Sequence, residues 1–427
     1  SNHTPINGEL GSFYRPDGLL ANSKLKWETT ISRNFGIDFG FLNNRVNGSL
    51  EVYWNTTKDL LMAVPVDNTT GYSYQFQNFG KTSNRGIELS VNVDVINKGD
   101  FRFNVGAIYN YNRNKLDELP NADQYLYSSY WGSSSLVPTN DYMFVEGKAI
   151  GLVRGFISEG YYTVDDFNYT NGQYVLKEGV PDITKALTAT YMHPYDLPAG
   201  QTAFPGAAKF RDVDESGTVD LDDATCLGEV MPRHTGSFQL NFNYKNFDFS
   251  TNFNWTAGGK VYNVAAMINA SGQEFDGIGA QRASWVADAF KVYNVNAAGD
   301  LYAVTNPDEL RALNANAKYH LPYHQSGITS SEWLENGSYL RLQTLTLGYT
   351  LPKNWLTKVH VDKIRLYLTA TNLFTITGYS GIDPEVNANP TGQSGFYSDL
   401  RIFPTLNMDF GTYPRARTFT FGANITF

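Results

Sequence analysis

The sequence predicts an all-β protein whose nine or so long antiparallel strands form part of a transmembrane β-barrel with long extracellular loops. Three observations carry this expectation. Apolar and polar residues alternate at period two over many segments, as they do in a strand with two unlike faces. Very short turns alternate with very long polar connectors, the asymmetry of outer-membrane barrels with short periplasmic turns and longer extracellular loops. Aromatic residues make up 15% of the chain, and several close the apolar sets, where a half-wet ring suits the membrane–water boundary.

The first strand falls near Phe35 to Phe41. The second has Val46, Gly48, Leu50, Val52 and Trp54 on one face and Asn47, Ser49, Glu51 and Tyr53 on the other. The third alternates Ile87, Leu89, Val91, Val93 and Val95 with Glu88, Ser90, Asn92 and Asp94. The fourth runs from Phe101 through Phe103, Val105, Ala107 and Tyr109 to Tyr111. Phe238–Tyr244 and Phe247–Trp255 give the fifth and sixth. The seventh, Leu345 to Leu351, is out of phase with Tyr339 to Gln343, which calls for a bulge. Ile364–Ala370 and Phe419–Phe427 complete the set. Asn43-Asn44, Lys98-Gly99 and Lys245-Asn246 read as hairpin turns, and a longer link spans Pro352 to Asp362. Long connectors lie at about 1–23, 66–81, 113–233, 264–337 and 377–413. A soluble sandwich or propeller with one dry face shares the alternation but not this asymmetry.

Several function classes are excluded. The 427 residues carry a net charge of −9, so the basic stripe of a nucleic-acid-binding protein is absent. No apolar run reaches the roughly 18 residues of a membrane-spanning helix. A single cysteine, Cys226, excludes an intrachain disulfide framework, a Cys-based zinc site and an iron–sulfur cluster. The first residues contain no Met, basic n-region or apolar h-region, so the sequence reads as a fragment. An odd number of strands would leave an edge in lipid. If Phe419–Phe427 runs toward the periplasm, so does the strand near Phe35, which makes residues 1–23 part of an outer loop. Missing strands are then expected N-terminal to Ser1.

The sharpest local motif runs from Asp212 to Asp223. Oxygen-bearing residues at positions 1, 3, 5, 7, 9 and 12 with Gly217 at 6 match the spacing of an EF-hand-type calcium loop. Asp212, Asp214, Ser216, Asp220 and Asp223 would offer side chains, and Thr218 its backbone carbonyl. Ser216 and Asp223 stand where Asp and Glu are usual, which should weaken binding; a solvated acidic turn is the alternative. His320 and His324 are four apart, but Pro322 between them breaks any shared helix face. No nucleophile triad, phosphate loop or dinucleotide fingerprint stands out, so no enzyme activity is expected. Tyr125, Tyr127, Tyr130 and Trp131, then Tyr161 and Tyr162, cluster in the connectors among polar residues. They suit stacking on sugars or gripping peptides, or else packing the loops on one another.

Segments along the whole chain resemble one family. LKWETT from Leu25 and GIDFGFLNNRVNGSLEVYWNTTKDLL from Gly36 are followed by GKAIGLVRGFISEGYYT from Gly147 and AKFRDVDESGTVDLDD from Ala208. Then come GSYLRLQTLTLGYTLP from Gly337, LTATNLFTITGYSGIDPEV from Leu368 and the ending PRARTFTFGANITF. Together, and in this order, they resemble the SusC-type TonB-dependent transporters of the Bacteroidetes outer membrane (the RagA/SusC-like family). The resemblance implies the last nine strands of a plugged barrel of the 22-stranded class, with 113–233 and 264–337 as extracellular loops. It implies active import of oligosaccharides or peptides, a SusD-like surface lipoprotein as lid, and TonB acting through an N-terminal region and plug not found here. Glu51, Glu88, Asp94, Arg102, Asn104 and Arg365 would line the lumen or hold the plug. A passive outer-membrane pore and a secreted glycan-binding β-protein are the rival readings.

Overall fold

The computed structural model describes residues 2–6, 9–13, 19–72, 74–78, 80–119, 123–129, 136–188, 193–271, 283–321, 327–356, 361–386 and 406–427. Nine long strands form one sheet. They are β1 (Thr29–Ile31, resuming at Asn34–Phe41), β2 (Val46–Lys58), β3 (Lys81–Lys98), β4 (Phe101–Glu118) and β5 (His234–Tyr244). Then follow β6 (Phe247–Ala257), β7 (Tyr339–Thr350), β8 (Lys363–Thr377) and β9 (Thr418–Thr426). Spatial order follows chain order and every pair is antiparallel, so the sheet is a simple meander. The strands expected from alternation are all present, and several are longer. β3 and β4 have 18 residues each, where about ten cross a bilayer, so they project beyond it.

The register turns each strand's alternation into rows across the sheet. Leu50 faces Leu89, which faces Tyr109. Phe103 pairs with Phe242, which pairs with Phe249. Leu347 faces Leu368, and Leu368 faces Phe421. The apolar face is therefore continuous from β2 to β9, and much of it is exposed, including Ile87, Leu347, Leu366 and Phe421. Aromatics bound it at both ends. Tyr109 lies 6.1 Å from Trp255 near one end, and Phe247 lies 4.6 Å from Tyr349 at the other. The opposite face is polar: Ser49 pairs with Ser90, and Asn104 with Asn241.

Local irregularities keep the faces in phase. Thr344 and Leu342 of β7 pair with adjacent residues Asn252 and Phe253 of β6, so Gln343 is the extra residue of the expected bulge. A second bulge, at Val95, was not expected; past it Ile96 pairs with Phe103, which continues the apolar face. At Gly48 the backbone approach leaves no room for a side chain, since a Cβ would meet the Ser90 carbonyl oxygen at 2.0 Å.

The short connections lie at one end. Leu42, Asn43 and Asn44 take positive φ between β1 and β2, the conformation Asn tolerates best among non-glycines. β3 extends through Lys98, so that turn is Gly99–Asp100 rather than Lys98-Gly99. Connectors 59–80, 119–233, 258–338 and 378–417 share the other end, their limits displaced from the expected ones by up to seven residues.

These connectors are not merely polar loops. They contain short strands and helices, such as Val264–Ser271 and Pro307–Leu313. The latter starts where Asn306 accepts from the Asp308 and Glu309 amides with proline at the first turn. One apolar core joins Phe156, Tyr162, Tyr174, Phe204, Phe290 and Leu310 from the two longest connectors. A second joins Met62, Tyr142, Tyr262, Trp333 and Met408, one or more from each of the four.

Candidate functional site

The acidic loop folds tightly. Oxygens of Asp212, Asp214 and Asp223 lie within 4.8 Å of one another, close enough to share one cation whose ligands stand about 2.3–2.6 Å away. Backbone amides organise them. Gly217 and Ser216 donate to Asp212 at 2.7 and 3.1 Å, and Ser216 donates to Asp214 at 3.0 Å. Buried Asp223 accepts from the Val213 and Asp220 amides at 2.5 and 2.8 Å. Glu215 and Gly217 both have positive φ, which makes the sharp turn. Hydrogen bonds from Ser216 hold the Asp214 carboxyl below the ordinary carboxylate range. The Ser216 hydroxyl donates to the Thr218 carbonyl at 3.0 Å. Asp220 does not join the carboxylate cluster; it caps the short helix Leu221–Asp223 by accepting from the Asp222 amide. The residues present fit a hard divalent cation, with Asp212, Asp214 and Asp223 at its centre.

The crown tyrosines are placed differently from the expectation of exposed stacking surfaces. Tyr127 is 4% exposed, with its ring 4.8 Å from Phe144 and 5.5 Å from Tyr142. Tyr162 is fully buried; its hydroxyl donates to the Pro181 carbonyl at 2.7 Å, and Lys209 sits over its ring. Burial pushes both hydroxyls well above their ordinary pKa. These two residues pack the connectors and offer no surface to a solute, because an aromatic ring among polar neighbours is as useful to a small core as to a ligand. Tyr125 and Tyr161 are half-buried, and the Tyr161 hydroxyl donates to the Ala317 carbonyl at 3.1 Å. Tyr130 and Trp131 lie outside the described residues, as does His324. His320 is buried against Trp285, 3.8 Å from Glu332.

The polar face carries the expected wall residues in hydrogen-bonded sets. Asn34 donates to Glu51 at 2.9 Å and Asn104 to Asp94 at 3.0 Å. Arg365 grips Asp248 with two bonds of 2.8 and 2.5 Å. The same face holds, toward the connector end, an open hollow of about 460 Å³, lined by Glu88, Asn110, Ser237, Asn254, Thr256 and Tyr339 among others. Sequence reasoning missed its membership, because only the register brings five strands' residues together.

A buried charge network was also missed. The Arg341 guanidinium in β7, 2% exposed, donates to Asp383 at 2.5 Å, Glu385 at 3.0 Å and the Thr375 hydroxyl at 3.0 Å. Glu385 pairs in turn with Arg415. The network ties the start and the end of the connector after β8 to each other and to β7.

A continuous meander with a dry outer face bounded by aromatics, a polar inner face and a heavy crown at one end defines a stretch of outer-membrane β-barrel wall. Comparison with known proteins gives the family. Residues 4–373 match "TonB dependent receptor-like, beta-barrel", and the chain belongs to this family. It is a family of outer-membrane receptors and transporters, not of enzymes. TonB-dependent receptor P3 of Formosa agariphila is 30% identical over 409 residues, covering 96% of this chain and 35% of that protein. TonB-dependent receptor SusC of Bacteroides thetaiotaomicron is 27% identical over 433 residues, covering 99% and 34%. The chain thus spans about a third of the length of these relatives. Among solved structures, the RagAB peptide transporter matches with a TM-score of 0.65 at 22% identity, covering 100% of this chain and 38% of that one. That likeness bears on the fold.

Proposed function

We propose that this chain is the C-terminal barrel wall and crown of a TonB-dependent importer of oligosaccharides or peptides. The carrying observation is the two-faced wall: lipid-compatible outside, hydrogen-bonding inside, with the long connectors built into a crown at one end. Among the described residues β1 and β9 each have one free side, which lipid does not tolerate, so further strands close the barrel, in this reading one of the 22-stranded class with these nine as its C-terminal part. A SusD-like lipoprotein covers the crown, and TonB acts through an N-terminal region and plug. The names of the relatives support this reading, SusC for the transporter type and RagAB for peptide import. Cargo meets polar side chains such as those of the hollow at Asn110 and Asn254; glycans and peptides both suit them. Of the four described tyrosines expected to touch cargo, Tyr125 and Tyr161 keep partly exposed surface for it. A structural calcium ion held by Asp212, Asp214 and Asp223, with Ser216 and the Thr218 carbonyl beside them, stiffens the 205–230 region.

The test is uptake of labelled oligosaccharide and peptide pools by cells carrying the full-length protein, with and without TonB. Uptake lost without TonB supports the importer. TonB-independent equilibration of small solutes would instead establish a passive pore.

A further inference from the structure

We propose that the outward face at the crown end of β2, β3 and β4 binds the phosphate of a lipid headgroup in the outer leaflet. Arg85 and Arg113 sit directly opposite each other across the β3–β4 pair, a placement that sets Cβ atoms about 4.5–5.5 Å apart. Arg85 lies on the same side of β3 as Ile87, Leu89 and Val91, and Arg113 on the same side of β4 as Tyr109 and Tyr111, with no register shift between. Both therefore face outward, and both are exposed. Among the described residues neither forms an ion pair; the acid nearest in register on this face, Asp117, engages Lys115 at 3.5 Å. Like charges directly opposite each other destabilise a sheet, so this pair calls for an anion.

Depth identifies the anion's source. Arg85 and Arg113 lie one two-residue step, about 7 Å, beyond the row of Val52, Ile87 and Tyr111. The apolar stretch of β3 begins at that row and ends at Ile96, about the ten residues that cross a bilayer. The guanidiniums thus stand at headgroup height on the crown side. Trp54, 42% exposed, lies opposite Arg85 and presents a flat apolar surface beside them. Lys115 adds a cation one step further out. Guanidinium pairs match phosphate oxygens bidentately, and continuity with the lipid-facing band favours a phosphate tethered in the leaflet over a free one.

The experiment uses the full-length protein extracted from outer membrane in mild detergent, stripped of lipid, and re-equilibrated with phosphorylated or enzymatically dephosphorylated lipid A. Bound lipid per protein is measured by mass spectrometry. Arg85→Gln with Arg113→Gln should lower retention of the phosphorylated form about tenfold or more and leave the dephosphorylated form unaffected. Arg85→Lys with Arg113→Lys should retain most of it. Equal retention by the glutamine variant, or equal retention of both lipids by the unaltered protein, would overturn the site. If the glutamine variant does not fold, the two-lipid comparison on the unaltered protein decides alone. Displacement of the lipid by millimolar inorganic phosphate would overturn the lipid assignment.

Discussion

At the residue scale, what the sequence revealed depended on how far apart the partners lie. The clustering of Asp212, Asp214 and Asp223 was legible because they fall within a dozen residues and one spacing rule relates them. Asp212→Asn with Asp214→Asn should lower divalent affinity and speed proteolysis between about 205 and 230; calorimetry and digestion with and without chelator check this. Arg341 was not legible, because Asp383 and Glu385 lie far along the chain and only the fold buries them together. Arg341→Met leaves Asp383 without its cation and Glu385 with Arg415 alone, and should cost about 3 kcal/mol, read as earlier opening of 378–417 in hydrogen exchange. Asp166 gives a pH prediction. Burial pushes its carboxyl up, but hydrogen bonds from Lys209 and Thr163 outweigh this and hold it below the ordinary range. The stability it contributes is complete above the unfolded value near pH 3.9 and is lost as pH falls through the lower folded value. Digestion of the Phe167–Leu176 hairpin should accelerate on acidification, and Asp166→Asn should be equally labile at neutral pH.

At the element scale, strands were legible and connectors were not. A membrane strand displays its environment at every second residue, so ten residues suffice to recognise it. The connectors build their cores from scattered pieces such as Tyr142–Val145 and Leu152–Gly155, too short for any period to show. That is why Tyr127 and Tyr162 read as binding residues until their burial was seen. The face assignment makes a paired prediction. Val91→Arg on the lipid side should destabilise by about 2–4 kcal/mol, whereas Ser90→Arg on the lumen side should cost much less. Denaturant titration in bilayers compares them; equal costs would mean that the two faces are assigned wrongly.

At the scale of the whole molecule, the meander leaves β1 and β9 each with a single partner among the described residues. Closure therefore requires further strands, and the denatured mass of the protein from native outer membrane should greatly exceed the 47.7 kDa of this chain. A surface lipoprotein should co-purify with it. A lone water-soluble species at 47.7 kDa would end the importer reading.

The core shared by the four crown connectors has a mechanical corollary. Met62, Tyr142, Tyr262 and Met408 stitch separate hairpins into one plate, so no single connector of this plate can swing aside while its neighbours stay put. In the proposed importer, an aperture for bulky cargo would open along the plate's margins, where it abuts whatever stands beside it, with the plate as the rigid jamb.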